Sequence, residues 1–362
     1  MWSTMLRPHH EDERTFDPSQ SLRANNDVHT DSHATPISAS TSHNGRKPVT
    51  LNPLKAYRPA DPAKAHIVYD TPKNSAPWGW MVSTYLGTKS IGAGVMLVAA
   101  LALALYGLHG SLNGAMNALF GIAAPIIGGL FISLTLVLLV ADLKRPERAL
   151  FLVTKANPTS WLVWGGYILG IFGLIEALWF GSAIFGLYGF LRVLLIPAAL
   201  FGLAAAGYTA FLFGQAEGRD FWQSPLLLPI LLVQAVLAGS AALGILTLFI
   251  HQASPIVTLL TITLLSAVVV HLLLVLMEVF GSHSNSHVAT AAQYITGGPL
   301  RRIFTGLFLG VGCAVPIVLL IVALLVPIAQ IPLVVIAGLV ALIGLFAYEH
   351  CFVVAGQSVA LS

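Results

Sequence analysis

Ionisable side chains inside long apolar runs are the groups of this sequence with the clearest chemical use. His271 and Glu278 stand seven residues apart in one such run. That spacing spans two helical turns and places both side chains on one helix face, where they could accept or relay a proton near neutral pH. The alternative is a histidine that hydrogen-bonds a neighbouring helix and a glutamate at the polar end of its own helix.

Two other apolar runs carry polar groups at helical spacing. Tyr85 and Lys89 are one turn apart, and Lys89 could either belong to a site or extend toward lipid headgroups. Tyr208 lies near the end of another run, where its phenol could hydrogen-bond a carbonyl group or support packing. Because polar and ionisable groups are costly inside a bilayer, each is a functional candidate. The remaining candidates are Asp142, Glu176, Arg192, Gln234, Glu349 and His350.

The composition predicts a membrane protein. Hydrophobic residues make up 56% of the 362 residues and charged residues only 9%, against about 25% charged in soluble domains. Residues 1–77 hold 9 of the 18 Lys and Arg and 8 of the 15 Asp and Glu, so the remainder is poor in charge. These values exclude a soluble enzyme, a nucleic-acid binder and a disulfide scaffold. We predict a polar, largely irregular N-terminal extension over residues 1–77 and an all-α integral membrane domain over residues 78–362.

Eight apolar runs follow the extension, each close to the roughly 20 residues that cross a hydrocarbon core. Each run must be helical because the bilayer offers no water to satisfy exposed backbone groups. Their continuous apolar character excludes a β-barrel, whose strands alternate. The predicted transmembrane helices cover residues 83–108, 117–140, 161–182, 189–213, 225–249, 255–280, 303–328 and 332–355.

The loops between these runs differ in charge. Charged side chains cluster at 141–155, at 217–220 and at Arg301 and Arg302, all on the side of both termini. The loops on the opposite side carry no Lys or Arg. By the positive-inside rule, the charged face and both termini are cytoplasmic. We therefore predict a multi-pass protein of the cytoplasmic (inner) membrane.

The sequence provides poor ligands for a resident redox centre. Cys313 and Cys351 lie in apolar runs and form no C-x-x-C motif, so this chain cannot hold an iron–sulfur cluster alone. A haem between two helices needs histidines at matching depth in the membrane. The depths of His271 and His350, counted from the charged ends of their helices, differ by roughly 7 Å. We predict no haem, no iron–sulfur cluster and no metal site in this chain.

Several motifs in series resemble the NrfD/PsrC family, the membrane subunits of polysulfide-reductase-like respiratory complexes. Residues 142–148, Asp-Leu-Lys-Arg-Pro-Glu-Arg, are similar to the family's D-L-G-R-P-E-R signature, with lysine in place of glycine. The weaker matches are residues 78–94 in the first helix, Asn157 to Trp161 before the third, Tyr208-Thr209 in the fourth and Ala355 to Ser358 at the end.

The resemblance implies eight transmembrane helices arranged as two four-helix bundles without haem. It also implies a membrane anchor subunit of a respiratory oxidoreductase, not catalytic alone, which exchanges electrons between an iron–sulfur (ferredoxin-like) partner and the quinone/quinol pool. The quinone could be menaquinone or ubiquinone. The partner would dock on the charged face and connect to a molybdopterin-type catalytic subunit.

Carried over by position, the resemblance places quinone binding and protonation at Tyr208, Asp142 and Arg145, with Tyr85 and Lys89 as further candidates on the first helix. We expect the quinone head group near the docking face, because electrons must reach it from the partner's cluster. The residues expected to dock the partner are Lys144, Arg145, Arg148, Arg301 and Arg302.

Quinone reduction also needs two protons, for which the buried polar groups are candidates. His271 could fix a quinone carbonyl, while Asp142 and Glu278 could carry protons from the charged face. Glu176 and Gln234, deeper in the third and fifth helices, could extend a proton route across the membrane.

A secondary transporter, or a proton-translocating subunit without quinone chemistry, is the competing prediction. Buried acids in an eight-helix body suit this function as well. Transporters more often carry an inverted repeat with helices broken by Gly or Pro in corresponding halves. We find no convincing repeat in the sequence.

Overall fold

The computed structural model describes residues 78–107, 112–143, 147, 154 and 157–359. The predicted N-terminal extension, residues 1–77, lies outside this part of the chain, as do the predicted docking or quinone-binding residues Lys144, Arg145 and Arg148. The domain boundary after residue 77 therefore stays a prediction.

Eight helices are long and apolar enough to cross a membrane, as predicted, and no strand occurs in the described residues. Each observed helix overlaps its predicted span, although the fifth and seventh helices end three residues earlier than expected. The chain is a multi-pass, all-α membrane protein. The helices are α1 Trp80–Tyr106, α2 Gly114–Ala141, α3 Trp161–Ile184, α4 Tyr188–Gly214, α5 Leu227–Leu246, α6 Ser254–Phe280, α7 Ile303–Leu325 and α8 Pro327–Ser358.

The surfaces that face away from the bundle are apolar. Large side chains such as Leu130, Val193 and Ile196 remain exposed along the middle of the helices. In water such a surface would favour aggregation, whereas lipid chains solvate it well. Charged side chains within the helices, such as Lys89 and Glu349, are instead buried.

The helices pack as two bundles that repeat one pattern. In the first bundle α1 packs against α2 and α4, and α3 packs against α2 and α4. In the second bundle α5 packs against α6 and α8, and α7 packs against α6 and α8. The bundles meet through α1 with α5, α1 with α8, and α4 with α5. This confirms the two four-helix bundles, and it reveals a parallel repeat that the sequence pattern does not show.

Glycines set the distance between the two bundles. A Cβ atom on Gly94 of α1 would lie 1.8 Å from the carbonyl oxygen of Ala235 in α5. One on Gly239 of α5 would lie 2.0 Å from the carbonyl carbon of Gly94. Only residues without a Cβ atom permit this backbone approach.

All charged loops of the described chain gather at one end of the bundle, which we call the polar face. Here α1, α3, α5 and α7 begin and the other four helices end. The Asn285 amide donates a hydrogen bond to Asp220 Oδ2 (2.6 Å), which joins two of the loops. A short surface helix, Ser286–Thr296, follows, and Arg301 and Arg302 are exposed beside it at the start of α7.

Candidate functional site

A fully buried lysine lies between α1 and α4. Lys89 is about 13 Å along α1 from its start at the polar face. Its Nζ donates to the carbonyl oxygen of Ala206 (2.6 Å) and to the hydroxyl of Thr209, and lies 5.3 Å from the ring centroid of Tyr208. Since the side chain is 0% exposed, the alternative in which it extends to lipid headgroups is wrong.

Tyr208 packs its ring against a helix backbone and leaves its hydroxyl without a partner. A Cβ atom on Gly165 of α3 would lie 2.3 Å from Cε2 of this ring, so the glycine makes room for it. The residue is 2% exposed, and its hydroxyl makes no hydrogen bond to any described residue. The expected bond to a carbonyl group is therefore absent, and packing holds the ring. A buried hydroxyl without a partner is available to a ligand.

Tyr85 and Asp142 lie beside this pair on the side of the polar face. Tyr85 is buried on α1 and is near enough to interact electrostatically with Asp142, Tyr208 and Glu349. We call Tyr85, Lys89, Tyr208 and Thr209 the lysine cluster. Four of the predicted quinone-binding residues, Tyr85, Lys89, Asp142 and Tyr208, are thus close together.

Asp142 follows the last residue of α2, and its backbone N–H closes the final turn on Leu138 (3.0 Å). Its side chain is half-buried, and this burial raises the pKa of the carboxyl above its usual range. Arg145 and Arg148, which follow it in the signature segment, lie outside the described residues. The carboxyl therefore holds its proton to a higher pH than an exposed aspartate does.

A second polar group lies between α5 and α8. Both carboxyl oxygens of Glu349, the hydroxyl of Tyr348 and Oε1 of Gln234 are buried without a hydrogen bond to any described residue. We call these three residues the glutamate cluster. They border a cavity of about 10 Å³, room for about one water molecule. The other walls are apolar: Leu86, Phe213, Leu227, Ile230, Leu231 and Phe352.

The α6 pair contacts the glutamate cluster and not the lysine cluster. The ring of His271 meets that of Tyr348 edge-on, with 5.2 Å between centroids. Glu278, nearer the polar face, accepts a hydrogen bond from Ser224 Oγ (2.5 Å) and interacts electrostatically with Tyr348. The two residues share one helix face, as their spacing predicts. The role of His271 in quinone binding stays a prediction.

Glu176 lies apart from both clusters. It is about 22 Å along α3 from the polar face, deeper than the residues of either cluster. Its carboxyl faces α2, where a Cβ atom on Gly128 would lie 2.2 Å from Oε1, and neither oxygen bonds a described residue. A transmembrane proton route through Glu176 stays a prediction.

Arg301 and Arg302 are exposed at the polar face, where a partner could reach them. Arg219 is different, because it is half-buried and its guanidinium donates to the carbonyl oxygens of Gln357 (3.0 Å) and Val359 (2.9 Å). Burial lowers the pKa of Arg219. Arg219 thus holds the last helix, whereas the exposed pair stays available for docking.

The sequence reasoning left Glu349 without a role and did not consider Tyr348 at all. The available signal was three consecutive polar residues, Tyr348, Glu349 and His350, in an otherwise apolar helix. Thr209 was noted only as part of a motif. Its contact with Lys89 depends on the packing of α1 against α4, which the sequence does not show.

Among the described residues, no group of three or more His, Cys, Asp or Glu side chains could hold a metal ion. The two cysteines, Cys313 and Cys351, are buried free thiols. The polar clusters therefore offer hydrogen-bond donors and proton carriers rather than metal ligands.

A family model described as polysulphide reductase, NrfD matches residues 70–360, which include all eight helices and both clusters. The chain belongs to the NrfD family. No curated protein matches it. The resemblance inferred from the motifs is confirmed.

Two of the motifs that resemble the NrfD family hold helix ends at the polar face. Asn157 Oδ1 accepts from the backbone N–H (3.1 Å) and the hydroxyl of Thr159, which forms the turn before α3. The side chain of Gln215, after α4, accepts from Trp161 N (2.9 Å) and donates to Thr159 O (2.6 Å). The turn thus ties the start of α3 to the end of α4.

The C-terminal motif of this NrfD-family chain joins α8 to α1. The amide of Gln357 accepts from the backbone N–H of Trp78 (3.2 Å) and donates to its carbonyl oxygen (2.7 Å). The indole of Trp78 stacks on that of Trp222 at 4.2 Å. A Cβ atom on Gly356 would lie 2.0 Å from Trp222 Nε1, so glycine is needed beside this ring.

Proposed function

We propose that this NrfD-family subunit exchanges electrons between an iron–sulfur protein docked at its polar face and the quinone/quinol pool. The quinone head group would bind at the lysine cluster, between α1, α3 and α4. The observation that carries the proposal is the unpartnered hydroxyl of Tyr208, buried beside the ammonium group of Lys89.

The donors of the cluster suit a quinone carbonyl. A carbonyl oxygen accepts hydrogen bonds from a phenol or an ammonium group, and its negative charge grows as the ring is reduced. A buried cation in a medium of low polarity stabilises that charge strongly. Lys89 and Tyr208 therefore favour the reduction of the ring rather than mere binding.

The position of the cluster suits transfer from a docked partner. Lys89 and Tyr208 lie roughly 9–13 Å along their helices from the polar face. The sequence has two cysteines and no C-x-x-C motif, so the electrons come from the partner's cluster. Arg301 and Arg302 offer positive charge for docking an acidic partner.

The packed bundle must open to admit the ring. The cavity beside Leu86 and Phe213 holds about one water molecule, far less than a quinone head group occupies. The head group therefore displaces side chains between the helices when it binds. Gly165, which has no Cβ atom, lets the Tyr208 ring lie directly against α3.

Proton supply to the site begins at Asp142 in this proposal. The residue lies between the polar face and Tyr85, and its raised pKa leaves it protonated over a wider pH range. A protonated carboxyl can pass a proton to the cluster and recover it from the aqueous side.

The experiment purifies the complex through an affinity tag on this chain and identifies the partners that co-purify. Its iron–sulfur clusters are reduced with dithionite and mixed with a short-chain quinone, and their reoxidation is followed by absorbance. Tyr208→Phe is expected to slow reoxidation by about ten-fold or more, because the hydroxyl donor is lost while the ring still packs against Gly165.

The matched control is Tyr167→Phe, which removes a phenol hydroxyl from a half-exposed position on α3. It is expected to leave reoxidation unchanged. A complex without an iron–sulfur protein, or equal rates for the wild type and Tyr208→Phe, would contradict the proposal and favour a transporter.

A further inference from the structure

We infer that Glu349 and Lys89 form a proton relay that supplies the quinone site from the second bundle, loaded at the polar face through Glu278 and Tyr348. The inference rests on the proposed function and adds a second proton source to that function. It assigns roles to Tyr348 and Glu349, which are not part of the quinone site.

The glutamate cluster is built to hold a water molecule. Its four unpartnered atoms are the two carboxyl oxygens of Glu349, the hydroxyl of Tyr348 and Oε1 of Gln234. A buried water typically makes about three hydrogen bonds, and the cavity that these residues border has room for one. Such a water would bond the carboxyl, the phenol and the amide, which are otherwise costly to bury.

Glu349 also connects this cluster to the lysine cluster. Its carboxyl interacts electrostatically with the ammonium group of Lys89, although no direct hydrogen bond joins them. Lys89 uses two of its three N–H groups on Ala206 and Thr209. The third is available for a quinone oxygen. An acid and a base therefore lie near each other where the two bundles meet.

The connection to the polar face runs through α6 and α8. Glu278 lies two residues from the end of α6 and is bonded to Ser224 in the loop before α5. Tyr348 interacts electrostatically with both Glu278 and Glu349. A phenol hydroxyl can accept a proton on one side and donate one on the other. Tyr348 therefore links an acid near the aqueous phase to an acid in the bundle core.

The parallel repeat gives independent support. Lys89 and Gln234 each lie five residues before the crossing glycine of their own helix, Gly94 or Gly239. Lys89 faces α4 and Gln234 faces α8, which are equivalent helices of the two bundles. The glutamate cluster is thus the counterpart of the lysine cluster, with a proton-carrying acid instead of a ligand-binding tyrosine.

The step balances as follows. Reduction of one quinone to quinol takes two electrons from the partner's clusters and two protons. One proton leaves the Lys89 ammonium for a quinone oxygen, and the Glu349 carboxylic acid restores it. The resulting carboxylate takes a proton from the polar face through Tyr348 and Glu278. The other proton comes from Asp142, as in the proposed function. Oxidation of quinol runs the same steps in reverse.

The test uses the tagged complex and the quinone-driven reoxidation assay, in ordinary and in deuterated water. Glu349→Gln keeps the size and polarity of the side chain but carries no proton. It is expected to slow reoxidation by about ten-fold or more and to raise the solvent isotope effect, with unchanged quinone KM and unchanged co-purification of the partner. Glu349→Asp, which keeps a carboxyl group, is expected to restore part of the rate.

The control is Ser240→Ala on α5, which removes a hydroxyl that is equally buried and unpartnered. It is expected to match the wild type. If Glu349→Gln reoxidises at the wild-type rate while Tyr208→Phe is slow, the relay is overturned and the quinone site stands. If the wild-type complex is not reoxidised by quinone at all, the proposed function fails together with the relay.

Discussion

Lys89 places a positive charge in a region from which lipid and protein both exclude water. A lone buried ammonium group is strongly unfavourable, so its surroundings must compensate the charge. The carbonyl of Ala206, the hydroxyl of Thr209 and the face of the Tyr208 ring supply that compensation. A buried ammonium group does not stabilise the fold, so its presence is the main reason to expect a chemical role for this residue.

Asp142 gives a prediction on pH at the same scale. Because burial raises the pKa of this carboxyl, the acid is protonated at low pH and loses its proton as the pH rises through the raised value. If Asp142 donates protons, quinone-driven reoxidation should fall as the pH rises above the usual aspartate range. The rate profile of the tagged complex from acid to neutral pH checks this.

In Asp142→Asn that pH dependence should disappear, and the rate should stay low throughout. The clusters of the partner should still be reduced by dithionite to the same extent. A variant profile that parallels the wild type would assign the pH dependence to another group and make Asp142 structural.

The residue types of the site could be predicted, whereas their partners could not. Tyr85, Lys89 and Tyr208 stand out in the sequence as polar side chains in apolar runs. The burial of Lys89 depends on α4 covering it, and the importance of Glu349 depends on α8 lying against α1. Both depend on how each helix is rotated about its own axis. An apolar sequence encodes this rotation weakly, because it has few polar residues to define an inward face.

At the scale of helices, α1 and α5 act as a shared central element. Each contacts two helices of its own bundle and also the other bundle. α1 is accordingly the most buried of the eight helices, although its composition resembles that of its neighbours. The lengths and order of the helices follow from hydropathy, but the central position of α1 and α5 comes from the contact of Gly94 with Gly239.

Gly94→Ala tests this crossing. The added methyl group would lie 1.8 Å from the carbonyl oxygen of Ala235 in α5, so the two bundles must separate. We expect a loss of about 1–3 kcal/mol in stability or a failure to assemble, since backbone atoms yield less than side chains. Thermal unfolding of the purified complex, followed by loss of the co-purified partner, measures the effect.

Gly170→Ala is the matched control, because a Cβ atom at this position of α3 meets nothing within 4 Å. It should unfold at the wild-type temperature or slightly above, since alanine favours a helix over glycine. Equal behaviour of the two variants would show that the crossing tolerates a wider separation.

At the scale of the whole molecule, the asymmetry between its two ends is the dominant feature. The polar face gathers the described charged loops, and the surface helix and both polar clusters lie toward it. The described turns at the other end carry no Lys, Arg, Asp or Glu. The sequence predicts this asymmetry, because the charges of the loops can be assigned to one end without knowing how the helices pack. Which compartment the polar face meets is a prediction from the positive-inside rule.

Cysteine labelling checks the orientation. Cys313 and Cys351 are 2% and 0% exposed, so the native background should react little with a membrane-impermeant maleimide. Ala253→Cys lies in the loop before α6, and Ser284→Cys lies at the polar face; both positions are exposed. In spheroplasts, Ala253→Cys should be labelled directly, and Ser284→Cys only after permeabilisation. The reverse pattern would place the polar face and its partner outside the cytoplasm.

The hydrogen bonds between Gln357 and Trp78 have a consequence for biogenesis. A ribosome delivers α1 to the membrane first, yet α1 receives its contacts from α5 and α8 only after most of the chain has been translated. The nascent first helix must therefore wait for α4 to cover its lysine, and for the last helix to complete its contacts. Insertion machinery that shields α1 during this interval would be as important to the yield of the folded subunit as any contact within the finished molecule.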